Sequence, residues 1–373
     1  MAISLIVKKY VPPAPPTPFL GDQVTFTNAE FVMYGHQTGT MLSGNKFLCT
    51  FRDQTPTNEV YVVGTISGET ATFSEPAFFT ASPVSVNYKP MLYYDPTYNK
   101  VILFAGSGYY VGSVSGDTVS FGSINNYSPT FTIDSYYYAV YTPSEHRVVI
   151  AYRSGSTIRA IAGTFDGSTI SFGSSISVYS NAIVGVSVCQ GPSSDEYCLV
   201  FNPDGGTSRI TMLETSGTTI TSPYSVYSVL TSCRFNPACH YAPSRDLFFV
   251  TVYNSVTYNT RKNILFAYSY SEGVFTKLHS LNLTPDNSNF PNIDYDAYTD
   301  KVLVDINTGG STADIKLYTY NESTGFAYDS NIVFLNAVEY NNSVLLYQPS
   351  TGKRVVLYGI TTGYVGAARV FRV

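Results

Sequence analysis

The chain alternates short apolar runs with turn residues at a spacing too tight for helices. Residues 87 to 123 show the unit: Asn87-Tyr-Lys-Pro-Met-Leu-Tyr-Tyr94-Asp-Pro96, then Lys100-Val-Ile-Leu-Phe-Ala, then Tyr109-Tyr-Val-Gly-Ser-Val, then Thr118-Val-Ser-Phe-Gly. Each run is rich in β-branched and aromatic residues and bounded by Gly, Pro, Asn or Asp, which predicts four short strands. The unit recurs. Gly21, Gly68, Gly116, Gly167, Gly217, Gly273 and Gly325 are spaced by 47, 48, 51, 50, 56 and 52 residues, and the clear copies share a local sentence. It reads Gly64-Thr-Ile-Ser-Gly-Glu-Thr-Ala-Thr-Phe73, Gly112-Ser-Val-Ser-Gly-Asp-Thr-Val-Ser-Phe121 and Gly163-Thr-Phe-Asp-Gly-Ser-Thr-Ile-Ser-Phe172.

A repeat of about 50 residues built from alternating strands predicts an all-β fold, a seven-bladed β-propeller of four-stranded antiparallel blades. A Tyr-x-Pro hairpin joins strands one and two at Tyr94/Pro96, Tyr141/Pro143, Tyr241/Pro243 and Tyr347/Pro349, with Gln190/Pro192 and Tyr295/Ala297 as degenerate copies. The periodic glycine is read as the positive-φ residue of the turn between strands three and four. Two turns per blade then share one face of the disc, and the longer second-to-third and inter-blade connections share the other.

The last unit, Val365-Gly-Ala-Ala-Arg-Val-Phe-Arg-Val373, ends on a third-strand pattern, while Gly21-Asp-Gln-Val-Thr-Phe26 resembles Gly68-Glu-Thr-Ala-Thr-Phe73. Residues 22 to 27 are therefore expected to complete the last blade and close the ring, covering a sheet edge. The domain reading is residues 21–373 as propeller and residues 1–20 as an N-terminal arm. In the arm, Ile3-Ser-Leu-Ile-Val7 is a candidate strand on the stiff spacer Val11-Pro-Pro-Ala-Pro-Pro-Thr-Pro18. Ile3, Leu5 and Val7 would share one face and add as a strand to a partner.

Charge narrows the partners. Of 373 residues only 13% are charged, with 21 basic against 26 acidic and no basic run, so the footprint needed for a phosphate backbone is missing and no nucleic acid is expected. The five-residue apolar run at the N-terminus, followed by its lysines, is neither a secretion signal nor a membrane span, so no membrane insertion is expected. Five cysteines without a C-x-x-C pair and four scattered histidines offer no zinc-type spacing. Cys189 and Cys198 fall on neighbouring strands, and all five are read as free thiols packed as small hydrophobes.

No catalytic set is recognisable. His240, Asp294 and Glu339 are the polar residues on or beside inner strands, and Asp134 lies on a loop; no spacing singles out a carboxylate pair for glycoside cleavage. Sialidase-type Asp boxes are missing, WD repeats are excluded by the absence of Trp, and kelch repeats by the lack of paired glycines in each blade. The expectation is a non-enzymatic protein with no cofactor and no metal. The 33 tyrosines instead point to binding, since Tyr gives broad amphipathic contact and Ser, Gly and Asn give adaptable hydrogen bonds. The candidate ligand face comprises Tyr109, Tyr110, Asn126, Tyr127, Tyr136, Tyr137, Asn254, Tyr258 and Arg261.

The cadence of Tyr-x-Pro, then Lys-Val-Val/Ile-hydrophobic-Ala-Tyr, then Gly-Thr/Ser-Val-Ser-Gly-x-Thr-Ile-Ser-Phe-Gly resembles the repeat propellers of virion proteins in tailed bacteriophages, marine phages in particular. The resemblance covers residues 21 to 373. It implies a structural or adhesive virion component made in the host cytoplasm, tail- or capsid-associated, joined to other virion proteins by its arm and facing a host-surface glycan or receptor. A glycan-cleaving propeller enzyme and a lectin or scaffold propeller are the alternatives.

Overall fold

The computed structural model describes residues 19–22, 24–25, 38–52, 59–79, 90–105, 108–127, 136–181, 183–203, 206–231, 233, 237–254, 262–283, 292–307, 312–335, 344–348, 351–360 and 365–373. They form seven antiparallel sheets in a ring, each running outward from an inner strand. The inner strands are Thr38–Met41, Met91–Asp95, Tyr137–Thr142, Ile183–Gln190, Ala238–Ala242, Asn292–Asp296 and Val344–Gln348, which number blades 1 to 7. No α-helix occurs among the described residues, and one 3-10 turn, Pro143–Glu145, sits in a hairpin. Among the described residues no helix is long and apolar enough to cross a membrane.

The alternation explains the core. Second strands such as Lys100–Ala105 and Arg147–Ser154 are buried on both sides, because each sheet has a neighbouring blade against either face. Seven apolar clusters result, one for each pair of adjacent blades: Phe104, Tyr109 and Tyr152 lie between blades 2 and 3, for example, and Phe51, Val60 and Val370 between blades 7 and 1.

Closure comes from the N-terminal segment, with a correction to the register. Val24–Thr25 pair with Ala368 and Ala367, as expected, but Phe19–Leu20 also pair, with Arg372 and Phe371. The outer strand therefore begins before residue 22. Blade 3 shows why: Phe172 pairs with Gly163 and Ile176 with Ala160, the same four-against-three step that separates Leu20↔Phe371 from Val24↔Ala368. Leu20 is thus the counterpart of Phe172, and Gly21 of Gly173, the glycine after the strand rather than the glycine of the turn. Their amides donate to equivalent carbonyls, Gly21 to Val370 at 2.8 Å and Gly173 to Ala162 at 2.9 Å.

The six later glycines, Gly68 to Gly325, do have the expected positive φ, from +57° to +95°, whereas Gly21 does not. Its constraint is space: a Cβ there would lie 1.8 Å from the carbonyl oxygen of Glu69 in blade 1. A second periodic left-handed position was not read from the sequence. Asn99, His146, Asp246, Asp300 and Gly352 have φ between +49° and +66°, each five residues after the hairpin tyrosine. Asn and Asp tolerate this conformation. In three blades the tyrosine hydroxyl donates to that side chain: Tyr94 to Asn99 at 2.9 Å, Tyr241 to Asp246 at 2.7 Å and Tyr295 to Asp300 at 2.5 Å.

Polar contacts fasten each blade to the next on this hairpin face. Lys46 donates to Gly116 O at 2.9 Å, Thr142 meets Tyr197 at 2.9 Å, and Tyr227 donates to Gly273 O at 3.2 Å. Arg245 Nε donates to Asp300 at 2.6 Å, Arg354 Nη1 to Asp296 at 3.0 Å, and Gln348 Nε2 to Gly44 O at 2.9 Å. Between blades 2 and 3 the hydroxyl of Tyr141 donates to Asp95, which His146 Nδ1 meets at 2.6 Å.

Candidate functional site

Burial divides the residues of the candidate ligand face. Tyr109, Tyr110, Tyr127 and Tyr137 are all at most 5% exposed and pack between blades. Their hydroxyls serve the fold: Tyr109 accepts the amide of Ile170 at 2.6 Å, Tyr127 donates to Ala105 O at 2.8 Å, and Tyr137 to Phe104 O at 3.2 Å. Burial raises the pKa of Tyr109, against the Ile170 amide and with Asp166 adding to the rise, and burial raises that of Tyr127, with Tyr109 adding to it. Tyr136 is half-buried under the guanidinium of Arg153, 5.0 Å from its ring centre. Asn126 is exposed on the outer strand and Asn254 half-buried at a second-strand end. Tyr258 and Arg261, like Ile3, Leu5 and Val7 of the arm, lie outside the described residues, as do Asp134 and Glu339. In sequence, a Tyr at a loop-proximal strand end reads alike whether its ring turns to solvent or, as at Tyr109, Tyr110, Tyr127 and Tyr137, to the next blade.

The structure brings other residues together at the ring's axis. A cavity of about 300 Å³ is lined by inner-strand residues of blades 1, 2, 3, 5, 6 and 7, among them Thr38, Tyr93, Tyr138, His240, Asp294 and Tyr347. Asn292 and Asp305 contribute further polar groups. Thr38 and Asn292 open their strands and Pro90 stands just before one, so the cavity reaches the face of the inter-blade connections. Its size is at the small end of the range for ligand pockets, roughly 300–1,000 Å³.

Electrostatics single out one side of this cavity. Asp294 Oδ1 is 3.6 Å from His240 Nδ1 and accepts the amide of Tyr295 at 2.9 Å. Its other oxygen, Oδ2, accepts from Arg354 Nε at 3.3 Å. Arg354 is wholly buried, donates Nη1 to Asp296, and lies 4.4 Å from the ring centre of Tyr347 in a cation–π contact. Its Nη2 has no hydrogen-bond partner among the described residues. Burial raises the Tyr347 hydroxyl pKa, with Asp296 adding to the rise and Arg354 opposing it. Burial likewise pushes up Tyr93 and Tyr138, so all three cavity phenols are neutral at ordinary pH, and that of Tyr93 donates to the carbonyl oxygen of Ala139.

His240 and Asp294 were singled out from the sequence as inner-strand residues; Arg354 was missed. Its signal was nonetheless present. The position pairing with the hairpin tyrosine is Val101, Val148, Phe248 and Val302 in blades 2, 3, 5 and 6, and only blade 7 puts a charge there, where Arg354 pairs with Tyr347. Asp294 and Asp305 line the cavity beside His240, and the guanidinium of Arg354 bonds both Asp294 and Asp296. Carboxylates in a cavity wall repel anions such as phosphates.

Comparison with known proteins supports the fold and nothing finer. No protein-family model and no curated protein matches the chain. Solved structures do. The β-propeller domain of Myceliophteria thermophila Cps50 (Swd1) is 7% identical at a TM-score of 0.58, covering 96% of this chain and 100% of that one. A Lactobacillus plantarum protein is 12% identical at 0.58, covering 79% and 83%. A Bacteroides uniformis protein, provisionally named a 6-phosphogluconolactonase, is 13% identical at 0.56, covering 79% and 84%.

Proposed function

We propose that the protein is a non-enzymatic recognition propeller that takes a neutral, hydroxyl-rich ligand, a segment of glycan, in its axial cavity. The observation that carries this reading is the lining itself: neutral phenols of Tyr93, Tyr138 and Tyr347 beside Asp294, held by His240 and Arg354. Aromatic rings offer flat apolar faces, and a fixed carboxylate accepts hydrogen bonds from hydroxyls, a combination suited to sugar rings. The biological setting proposed is a tailed-phage virion, with the propeller as an accessory component on the tail or capsid. Support for that setting is the repeat cadence of residues 21–373; support for attachment through residues 1–20 is the Ile3–Val7 run on its proline-rich spacer.

The direct test is a glycan array probed with the full chain. Binding is expected to fall at least tenfold in Asp294→Asn and in His240→Ala, while Tyr109→Phe, buried away from the cavity, binds as the parent does. Binding that is indifferent to Asp294 would overturn the cavity assignment. One observation favours a second reading, cleavage of the same ligand: Asp294 and Asp305 line a single cavity. Mass spectrometry of the captured glycan after prolonged incubation separates the two, because a shortened product requires hydrolysis.

A further inference from the structure

Three of the five cysteines meet at one point. Cys189 and Cys198 pair directly across neighbouring strands of blade 4, and Cys239 arrives from the inner strand of blade 5. Its Sγ lies 3.8 Å from the carbonyl oxygen of Cys198 and 3.5 Å from Ser187 Oγ. The three sulfurs all fall within 4.8 Å of one another, and none is in a disulfide.

The repeat supplies its own control for the simplest explanation, that cysteine merely fills space. The position of Cys198 is Ile102, Val149, Phe249, Leu303 and Val355 in blades 2, 3, 5, 6 and 7. The position of Cys239, two before the hairpin tyrosine, is Leu92, Ala139, Ile293 and Leu345 in blades 2, 3, 6 and 7. Aliphatic or aromatic side chains satisfy the packing at these two positions, while the position of Cys189 is more varied, Tyr93, Val140, His240, Asp294 and Leu346 in blades 2, 3, 5, 6 and 7. Among the described residues, the junction of blades 4 and 5 is where three thiols come together.

We propose that Cys189, Cys198 and Cys239 form a metal site for a soft divalent ion of the Zn²⁺ class, one that ties blade 4 to blade 5. Zinc–sulfur bonds of about 2.3 Å in tetrahedral geometry set sulfurs about 3.8 Å apart, a modest contraction of the present trio. Thiolate sulfur selects soft ions over magnesium or calcium. A divalent ion with three thiolates leaves a net charge of −1, whereas a monovalent ion leaves −2, and the smaller charge is less costly to bury. Cys198 is fully buried but Cys189 only partly so, which leaves a side from which water can supply the fourth ligand. Each thiol that takes the ion releases its proton to solvent. Sequence spacing brings only Cys189 and Cys198 onto neighbouring strands; Cys239 stands 41 residues further on, in the next blade.

The test uses the full chain, stripped of metal with a chelator under a phosphine reductant and titrated with Cd²⁺ alone. The expected result is a near-ultraviolet thiolate-to-cadmium band that saturates at one ion per chain and is displaced by Zn²⁺. Cys239→Ser and Cys189→Ser are expected to weaken binding at least tenfold, while Cys49→Ser and Cys233→Ser leave it unchanged. Cys189 is the least buried of the trio, so its variant remains informative if Cys239→Ser fails to give the parent's circular dichroism. The proposal is overturned if no band forms at stoichiometric Cd²⁺, or if the band persists in a folded Cys189→Ser protein.

Discussion

Blades 2 and 6 both end their inner strand with Tyr-Asp, and both aspartates reach the following blade, yet the two junctions work differently. Asp95 is fully buried and takes hydrogen bonds from the Tyr141 hydroxyl, the Tyr98 amide and His146. Burial alone would raise its pKa, but these bonds outweigh it and leave the carboxyl below its ordinary value. This junction is sealed and serves the ring alone. Asp296 takes its cross-blade bond from Arg354, and the same guanidinium also grips Asp294 in the axial cavity. One latch is closed upon itself; the other extends to the candidate ligand site. A substitution at the start of a single second strand makes the difference, showing how a repeat fold gains a site by altering one copy of a structural contact.

The largest effect that would break this comparison is at Arg354. Arg354→Met leaves Asp294 and Asp296 without their buried cation, a change expected to cost about 3–5 kcal/mol in denaturant unfolding and to abolish glycan capture. Arg354→Lys keeps a charge but not the paired Nε and Nη1 donors, and is expected to fall between parent and Met variant. At the closed latch, Tyr141→Phe removes one hydrogen bond to a charged acceptor, expected to cost about 1.5–3 kcal/mol with ligand binding unaltered. Binding lost in Tyr141→Phe but kept in Arg354→Met would invert the assignment.

Acid sharpens the contrast further. Because the Asp95 pKa is lowered in the folded protein, its contribution is complete above the ordinary aspartate range and is lost as pH falls through the lowered value. A pH series of melting temperatures is expected to decline on acidification, less steeply in Asp95→Asn. The ring closure offers a smaller, separate check. Gly21→Ala meets the Glu69 carbonyl and is expected to cost about 1–3 kcal/mol by overpacking; Gly68→Ala, at φ +59° with open space around it, carries only the left-handed penalty of about 1–2 kcal/mol. Deleting residues 1–18 should leave the melting temperature nearly unchanged, whereas deleting 1–25 should lower it strongly. Smallest of all, Asn126→Ala on the exposed outer strand is expected within about 0.5 kcal/mol of the parent.

The sequence by itself determined the repeat, the number of blades, the two hairpins in each and the origin of the closing strand. These are written locally: alternation has a period of two, turns need particular residues, and Gly68, Gly116 and their successors mark positions that disfavour a side chain. Gly21 shows where local reading stops, since a glycine spared for close approach looks the same in one dimension as a glycine spared for positive φ. Tertiary structure alone decided which way Tyr109, Tyr127 and Tyr137 turn, that Arg354 stands beneath Asp294 and Tyr347, and that Cys239 joins Cys189 and Cys198. Each of these depends on the facing of one blade against the next. Residues about 50 apart are set side by side by ring closure, and the pattern within a single blade does not say which of its polar groups will find a partner there.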